Sequence, residues 1–188
     1  MTKKLTRKPR NRLEGYDYSQ SNYYYVTICT DERKEWFGEI KNDQMILNDH
    51  GQIVRQQWQW LAEQYTYVEL DEYIVMPNHI HGILIIDDTD RSRPVPTHSI
   101  KSLSSLIGAF KTTSSKLMHQ NGLPDFAWQR SFYDHVIRND KSLNKIREYI
   151  INNPINWAID EENTNCITKQ CSEFLPSPLK SSADGKNR

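Results

Sequence analysis

Cysteine is scarce in this chain of 188 residues, and its spacing carries little information. The three cysteines, Cys29, Cys166 and Cys171, are an odd number and contain no Cys-x-x-Cys pair. Disulfide frameworks and zinc knuckles both depend on paired, regularly spaced thiols. The sequence therefore argues against both, and we expect the three thiols to be reduced and without a chemical role.

Long apolar runs are also missing. No stretch approaches the roughly 20 apolar residues that a membrane-spanning helix needs. The basic residues at the start of the chain are not followed by the apolar segment of a signal peptide. We therefore expect a cytoplasmic protein with no membrane partner. The length suits one domain with a sizeable core and is too short for two ordinary domains.

The chain has no net charge at pH 7, but its charges are unevenly distributed. Residues 1–12 hold six basic residues and no acidic one, and residues 91–150 hold ten basic and four acidic residues. Residues 31–90 reverse this balance, with thirteen acidic and four basic residues. A neutral total can thus hide a basic face that suits a polyanion. The alternative is a disordered basic tail beside ordinary solvated helices.

Sequence patterns predict strands that alternate with helices. Aromatic and β-branched residues predict strands at 23–29, 44–47, 68–75, 80–86 and within 128–138. Apolar residues at helical spacing predict one helix that starts at Asn48 or Asp49 and ends before Thr66. They predict a second from Ser99 or Ser102 to Gln120 and a third from Asp140 or Ser142 to about Pro154. This order predicts an α+β domain, with helices packed on a mainly antiparallel sheet.

Two histidines separated by one residue, His79 and His81, lie in a strongly apolar, β-branched run. Alternate side chains of a strand lie on one face, so both rings are expected to point the same way. Imidazoles without partners on a buried strand would be costly, and neutral imidazole is the commonest metal ligand in proteins. The pair therefore predicts a divalent-metal site. In the alternative, one ring bonds a backbone carbonyl and the other is solvated at a sheet edge.

Tyr149 and Asn153 are four residues apart on the third predicted helix and so share one face. A phenol with a pKa of about 10 is a weak nucleophile, but a metal-bound phosphate is an electrophile whose charge is partly cancelled. Tyr149 is therefore a candidate nucleophile. The carbonyl oxygen of Asn153 is a candidate third metal ligand beside His79 and His81. The alternatives are core packing for the tyrosine and helix capping for the asparagine.

Four segments together resemble the REP-associated tyrosine transposases, which belong to the single-tyrosine transposases with a His-hydrophobe-His (HUH) motif. The segments follow one another in the family's order within residues 7–158 and are Gly15-Tyr16-Asp17-Tyr18, His79-Ile80-His81, Trp128-Gln129-Arg130-Ser131-Phe132-Tyr133-Asp134-His135 and Arg147-Glu148-Tyr149-Ile150-Ile151-Asn152-Asn153-Pro154. Relatives in the wider group carry Gln as the ligand on the tyrosine helix, where this chain has the shorter Asn153.

The resemblance implies a ferredoxin-like or RRM-like core with the HUH histidines on a central strand. It implies binding of single-stranded DNA hairpins, the repetitive extragenic palindromes (REPs). Tyr149 would attack a phosphorus next to a hairpin, form a 5′-phosphotyrosine link and release a 3′-hydroxyl. A second 3′-hydroxyl could reverse the step and join strands. His79 and His81 would hold Mg²⁺ or Mn²⁺, which stabilises the transition-state charge.

The resemblance also implies an association with the nucleoid, as a monomer or a homodimer. In relatives of the wider group, the tyrosine helix of one chain completes the site of its partner. Candidate DNA contacts are basic and aromatic side chains that meet phosphates or stack on unpaired bases, namely Arg7, Lys8, Arg10, Arg12, Lys111, Lys116, Trp128, Arg130 and Phe132. The alternatives are a core position for Trp128 and a purely solvating role for Lys111.

We expect a basic arm at 1–15, the transposase domain at 16–158, and a polar, weakly ordered tail at 159–188. Two other functions stay open at this point. The first is a domesticated protein that binds hairpins without cutting them. The second is a metal phosphoesterase in which water attacks and Tyr149 is structural.

Overall fold

A computed structural model describes residues 15–87 and 100–164. Short 3-10 helices span Asp31–Arg33 and Trp157–Ile159. The strands and α-helices, in chain order, are β1 (Asn22–Cys29), β2 (Gly38–Lys41), β3 (Gln44–Leu47), α1 (Asp49–Gln64), β4 (Val68–Met76), β5 (His79–Ile86), α2 (Leu103–Gln120), β6 (Tyr133–Ile137) and α3 (Asp140–Ile151).

Four of the strands form one sheet in the order β4-β5-β1-β6, and every neighbouring pair is antiparallel. The strands β2 and β3 form a separate hairpin between β1 and α1. Apart from this hairpin, the chain follows a β-α-β-β-α-β path, which with this strand order is the ferredoxin-like arrangement. The predicted α+β fold is confirmed, and β5 lies inside the sheet, as the HUH motif required.

The two faces of the sheet carry different helices. Ile80, Leu84 and Ile86 of β5 belong to the larger core, together with buried residues of α1 and α2. Ile83 belongs to a second core with buried residues of α3. Because side chains alternate along a strand, His79 and His81 share the face of Ile83. Both histidines therefore face the side of the sheet that α3 covers.

The close fit of α1 on β5 depends on Gly82. A Cβ atom at this position would lie 2.6 Å from Cζ2 of the buried Trp58 of α1. The missing side chain lets the indole ring pack against the strand at the residue that follows His81, on the face opposite the histidine rings. Any larger residue would push the HUH strand away from α1.

The helix boundaries follow the predicted capping signals closely. Asn48 caps α1, with its side chain accepting a hydrogen bond from the Gly51 amide, and the helix ends before Thr66. Ser102 caps α2 in the same way, and that helix ends at Gln120. The helix α3 differs from the prediction, because its cap is Asn139, whose side chain accepts from the Ser142 amide.

Strand predictions are less accurate. The sequence pattern does not predict β2, which has four residues. The strand expected within 128–138 is limited to Tyr133–Ile137, while Trp128 forms an isolated bridge with Thr30. Among the described residues, no helix is long and apolar enough to span a bilayer.

Residues 160–163 follow the second 3-10 helix, and the carbonyls of Glu161 and Glu162 accept hydrogen bonds from Arg33 and Asn78. Asp160 in this segment is buried. Residues 1–14 of the predicted arm, the loop at 88–99 and residues 165–188 of the predicted tail lie outside the described residues.

Candidate metal centre and nucleophile

His79 and His81 turn their Nε2 atoms towards each other. Both rings are buried, and the two Nε2 atoms are 2.9 Å apart. The ring centroids are 4.3 Å apart, with the rings edge to face. The two nitrogens thus converge as the spacing of the pair predicts, and neither ring is solvated at a sheet edge.

The side chain of Asn78 orients His79. Its amide nitrogen donates to the carbonyls of Arg33 and Glu162, at 3.1 and 2.8 Å, which fixes the direction of the amide. Its oxygen lies 2.8 Å from Nδ1 of His79. An amide oxygen can only accept, so Nδ1 carries the proton and Nε2 keeps its lone pair. This is the tautomer that binds a metal through Nε2.

Two hydroxyl groups orient His81. Its Nδ1 lies 2.9 Å from Oγ1 of Thr27 and 2.9 Å from the phenolic oxygen of Tyr25. A hydroxyl can donate or accept, so these partners suit either tautomer of the ring. With the lone pair of His79 facing it, Nε2 of His81 donates in this arrangement. A cation held by both Nε2 atoms requires the His81 proton on Nδ1, where a hydroxyl oxygen accepts it.

Burial keeps both imidazoles neutral. It lowers the pKa of His79 well below its usual value, and the nearby His81 and Arg33 act in the same direction. Burial also lowers the pKa of His81 to about 3. Neutral imidazole is the metal-binding form, so both rings are ready to act as ligands at neutral pH.

Asp160 is a third group at this point, and the sequence patterns do not identify it. His79, His81 and Asp160 each offer a ligand atom, and these atoms lie within 4.8 Å of one another. Burial raises the pKa of the Asp160 carboxyl, while hydrogen bonds from Glu162 and Asn153 oppose this shift. Two imidazoles and a carboxylate form a donor set that fits a divalent cation.

Tyr149 contacts the histidine pair from α3. Its ring centroid lies 5.3 Å from that of His81, and the rings meet edge to face. Burial raises the pKa of Tyr149 above its usual value, and the charges of Asp160, Glu161 and Glu162 add to this shift. The phenol is therefore protonated at neutral pH. The structure thus brings together the two histidines and the tyrosine that the sequence singles out.

Asn153 lies between the tyrosine and the carboxylate. Its amide nitrogen donates to Oδ2 of Asp160 at 3.1 Å, and a hydrogen bond with its side chain lowers the pKa of Tyr149 against the larger effect of burial. Its own oxygen is buried and has no hydrogen-bond partner among the described residues. A role for Asn153 as a direct metal ligand stays a prediction.

An ion pair holds the tyrosine helix on the sheet. Arg147 of α3 donates from Nε to Oδ1 of Asp71 at 2.8 Å and from Nη2 to Oδ2 of the same carboxylate. Bidentate pairs of this kind fix direction as well as distance. Asp71 belongs to β4, so the pair sets where α3, and hence Tyr149, sits along the edge of the sheet.

Trp128 does not fit its predicted role in stacking on DNA bases. Its ring is buried, and it packs against Phe37, Phe110 and Phe126. Its Nε1 donates to Oγ of Ser114 at 2.9 Å. The ring thus leaves no open face for a base, and the residue belongs to the core.

Lys111 is also engaged within the protein. Its ammonium donates to the carbonyls of Gln129 and Ser131, at 2.7 and 3.2 Å, and lies 5.5 Å from the centroid of the Phe132 ring. Burial lowers its pKa to about 8. Lys111 therefore fixes the segment before β6. The predicted DNA contacts Lys116 and Arg130 are exposed and Phe132 is half-buried, whereas Arg7, Lys8, Arg10 and Arg12 lie outside the described residues.

Comparisons with known proteins agree on one family. Residues 18–153 match the family described as "Transposase IS200 like". An uncharacterized protein of Haemophilus influenzae is 35% identical over 161 residues, covering 80% of this chain and 89% of that protein. The REP-associated tyrosine transposase of Escherichia coli is 24% identical over 143 residues, covering 73% of each.

A solved structure shares the fold. It is that of a REP-associated tyrosine transposase bound to a REP hairpin, and the match has a TM-score of 0.55 at 21% identity. It covers 78% of this chain and 74% of that chain.

Proposed function

The chain belongs to the IS200-like transposase family, and from this premise we propose that it nicks single-stranded DNA beside palindromic hairpins and transfers strands through a 5′-phosphotyrosine link on Tyr149. Its resemblance to the REP-associated tyrosine transposases is confirmed by its relatives and by its fold. A transposase-like function follows from the family. The nicking chemistry is the proposal.

One observation carries the proposal, namely the contact between Tyr149 and the histidine pair. Core packing alone explains a tyrosine on α3, but it does not explain two buried imidazoles with converging Nε2 atoms beside it. Two converging ligand nitrogens and a phenol ring whose centroid lies 5.3 Å from that of His81 can engage the same phosphodiester.

In the proposed step, the phenolic oxygen of Tyr149 attacks the scissile phosphorus. A bond forms between that oxygen and phosphorus, and the bond from phosphorus to the 3′-oxygen breaks. The phenol loses its proton, and the departing 3′-oxygen gains one. The new phosphodiester retains the energy of the old one, so attack by another 3′-hydroxyl reverses the step and joins strands.

His79 and His81 would hold a divalent cation, Mg²⁺ or Mn²⁺, through their Nε2 atoms. When bound, such an ion stabilises negative charge on the phosphate oxygens. Asn78 and the hydroxyls of Thr27 and Tyr25 hold the imidazoles in the orientation that this requires. The burial of the pair keeps water from competing for the ligand nitrogens.

A hairpin of single-stranded DNA is the proposed partner, and the hairpin in the related solved structure supports this class of ligand. The exposed Lys116 and Arg130 are the remaining described candidates for phosphate contacts, beside the basic residues of the arm at 1–15. A protein with this function acts at the nucleoid in the cytoplasm, as a monomer or a homodimer.

The test is a search for the covalent adduct. Single-stranded hairpin DNA labelled at its 3′ end, which stays on the protein-bound fragment, is incubated with the full-length protein and Mn²⁺ and analysed on a denaturing gel. We expect labelled DNA attached to the protein, lost in Tyr149→Phe and kept in Tyr133→Phe. The second variant is a matched control, because Tyr133 belongs to the same aromatic cluster around Tyr25.

The same gel separates the two competing functions. Cleavage that persists in Tyr149→Phe without an adduct would show a metal phosphoesterase in which water attacks. Retardation of the hairpin on a native gel, without cleavage under any metal condition, would show a binding protein. Either result would overturn the proposal.

A further inference from the structure

We propose that Asp160 is the third protein ligand of the metal and that Asn153 is a positioning residue that acts through it. The proposal rests on the metal-dependent function proposed above. It differs from the sequence-based expectation, in which the oxygen of Asn153 binds the metal directly. It makes the site a set of two histidines and one carboxylate.

The position of Asp160 is the first argument. The residue is 4% exposed, and one of its carboxylate oxygens lies within 4.8 Å of ligand nitrogens of both His79 and His81. A buried carboxylate beside two imidazole nitrogens is costly unless a cation lies between them. The nearby guanidinium of Arg33 does not take this place, because it pairs with Glu162 at 2.7 Å.

The hydrogen bonds of Asn153 are the second argument. Its amide nitrogen donates to Oδ2 of Asp160 at 3.1 Å, so the side chain presents a donor to the carboxylate. The Glu162 amide donates to Oδ1 at 2.7 Å. Two neutral donors orient a carboxylate without neutralising it. A charged carboxylate oxygen is also a better ligand for a hard divalent cation than a neutral amide oxygen.

The anchoring of the segment is the third argument. Glu162 accepts hydrogen bonds from Cys29 Sγ on its carboxylate, at 3.4 Å, and from Asn78 Nδ2 on its carbonyl, at 2.8 Å. Arg33 donates to the carbonyl of Glu161 at 3.1 Å. The segment that carries Asp160 is therefore fastened to the end of β1 and to the residue before His79. Asp160 is thus held in place by contacts outside α3.

Metal affinity of the full-length protein tests the proposal without DNA. Mn²⁺ binding is measured by calorimetry and by the loss of the free-ion electron paramagnetic resonance signal. Asp160→Asn is expected to lower the affinity at least about 10-fold. Glu161→Gln removes the same charge from the exposed neighbouring residue and is expected to change the affinity less than about twofold. Equal affinity in wild type and Asp160→Asn would overturn the proposal.

A cysteine variant tests direct coordination. In Asp160→Cys, addition of Cd²⁺ is expected to produce a thiolate-to-metal absorption band in the ultraviolet, because a soft ligand selects a soft cation. Wild type and Glu161→Cys, which share the three natural cysteines, are expected to lack this band. A folded Asp160→Cys protein without the band would overturn the proposal. A larger loss of Mn²⁺ affinity in Asn153→Ala than in Asp160→Asn would restore Asn153 as the ligand.

These outcomes are distinct from failure of the proposed function. If Asp160 binds Mn²⁺ but no tyrosine adduct forms on hairpin DNA, the nicking proposal fails and the ligand assignment stands. If the adduct forms and Asp160→Asn binds Mn²⁺ normally, only the ligand assignment fails.

Discussion

The side-chain oxygen of Asn78 lies 2.8 Å from Nδ1 of His79, its neighbour in the chain. The same amide group donates to the carbonyl of Glu162, two residues beyond Asp160. One side chain therefore joins the first histidine of the HUH motif to the segment that closes the site. Loss of this link should weaken metal binding more than it weakens DNA binding.

Asn78→Ala is expected to lower Mn²⁺ affinity about 10- to 100-fold, because His79 loses the acceptor that fixes its tautomer. It should also lower the free energy of unfolding by about 1–3 kcal/mol, since two part-buried carbonyls lose their donor. Calorimetry and urea unfolding measure the two effects. Asn144→Ala, at an exposed position of α3, is the control. Unchanged Mn²⁺ affinity in Asn78→Ala would contradict the assigned tautomer.

His79→Ala is expected to abolish cutting of a hairpin substrate while most of the hairpin affinity remains. The reason is that His79 is buried and, in the proposed function, holds the metal ion, whereas the proposed phosphate and base contacts involve other residues. A native gel measures binding, and a denaturing gel measures cleavage in the same samples. A parallel loss of binding and cutting would show that the two activities are not separable in this way.

Asp71→Asn should change stability in a pH-dependent way. Arg147 holds the pKa of Asp71 below its usual value of 3.8, so the folded state favours the carboxylate. The contribution of this pair is fully present above the pKa of the unfolded chain and is lost as pH falls through the lower pKa of the folded state. We expect the free energy of unfolding of wild type to exceed that of Asp71→Asn by up to about 1 kcal/mol at pH 7, after allowance for solvent screening.

Below about pH 4 this difference should shrink, because the unfolded carboxyl titrates there. Urea unfolding between pH 3 and 7 measures it. Glu39→Gln is the matched control, since the pair of Glu39 with Lys41 is about 61% exposed on both sides and should contribute little at any pH. A difference between wild type and Asp71→Asn that stays constant down to pH 3 would argue against the ion pair.

Lys116→Gln should affect hairpin binding and Lys111→Gln should affect stability, although both lysines lie on α2. Lys116 is exposed, so its loss should weaken hairpin binding and reduce the salt slope by about 0.7–0.9. Lys111 binds two carbonyls, so its loss should lower stability by about 1–3 kcal/mol. Hairpin binding at several salt concentrations, with thermal unfolding, tests both. A salt slope that changes only in Lys111→Gln would reverse the assignment.

Residues that act through local backbone geometry can be predicted from the sequence. His79 and His81 share a face because side chains alternate along any strand, and the caps Asn48 and Ser102 act within one helical turn. The cap of α3 is one residue away from the expected position, because adjacent polar residues compete for the same role.

Residues that act across the fold are less accessible to sequence reasoning. Trp128 is an aromatic residue of the kind that stacks on bases, and its burial among three phenylalanines depends on how α2 and the segments before β2 and β6 meet. Lys111 is a basic residue of the kind that contacts phosphates, but its carbonyl partners lie 18 and 20 residues away in the sequence. In both cases polarity and size are local properties, whereas exposure is not.

The sequence by itself determined the α+β alternation, the HUH strand and the helix that carries Tyr149. The reason is that strands and helices show as apolar periods of about 2 and 3.6 residues among neighbouring positions. Only the tertiary structure brought Asp160 to His79 and His81, Asn78 to Glu162, and Arg147 to Asp71. Asn78 and Glu162 are 84 positions apart in the sequence, and Arg147 and Asp71 are 76 apart. No local pattern encodes such contacts, since they arise from the way β4, β5, α3 and the segment after it pack together.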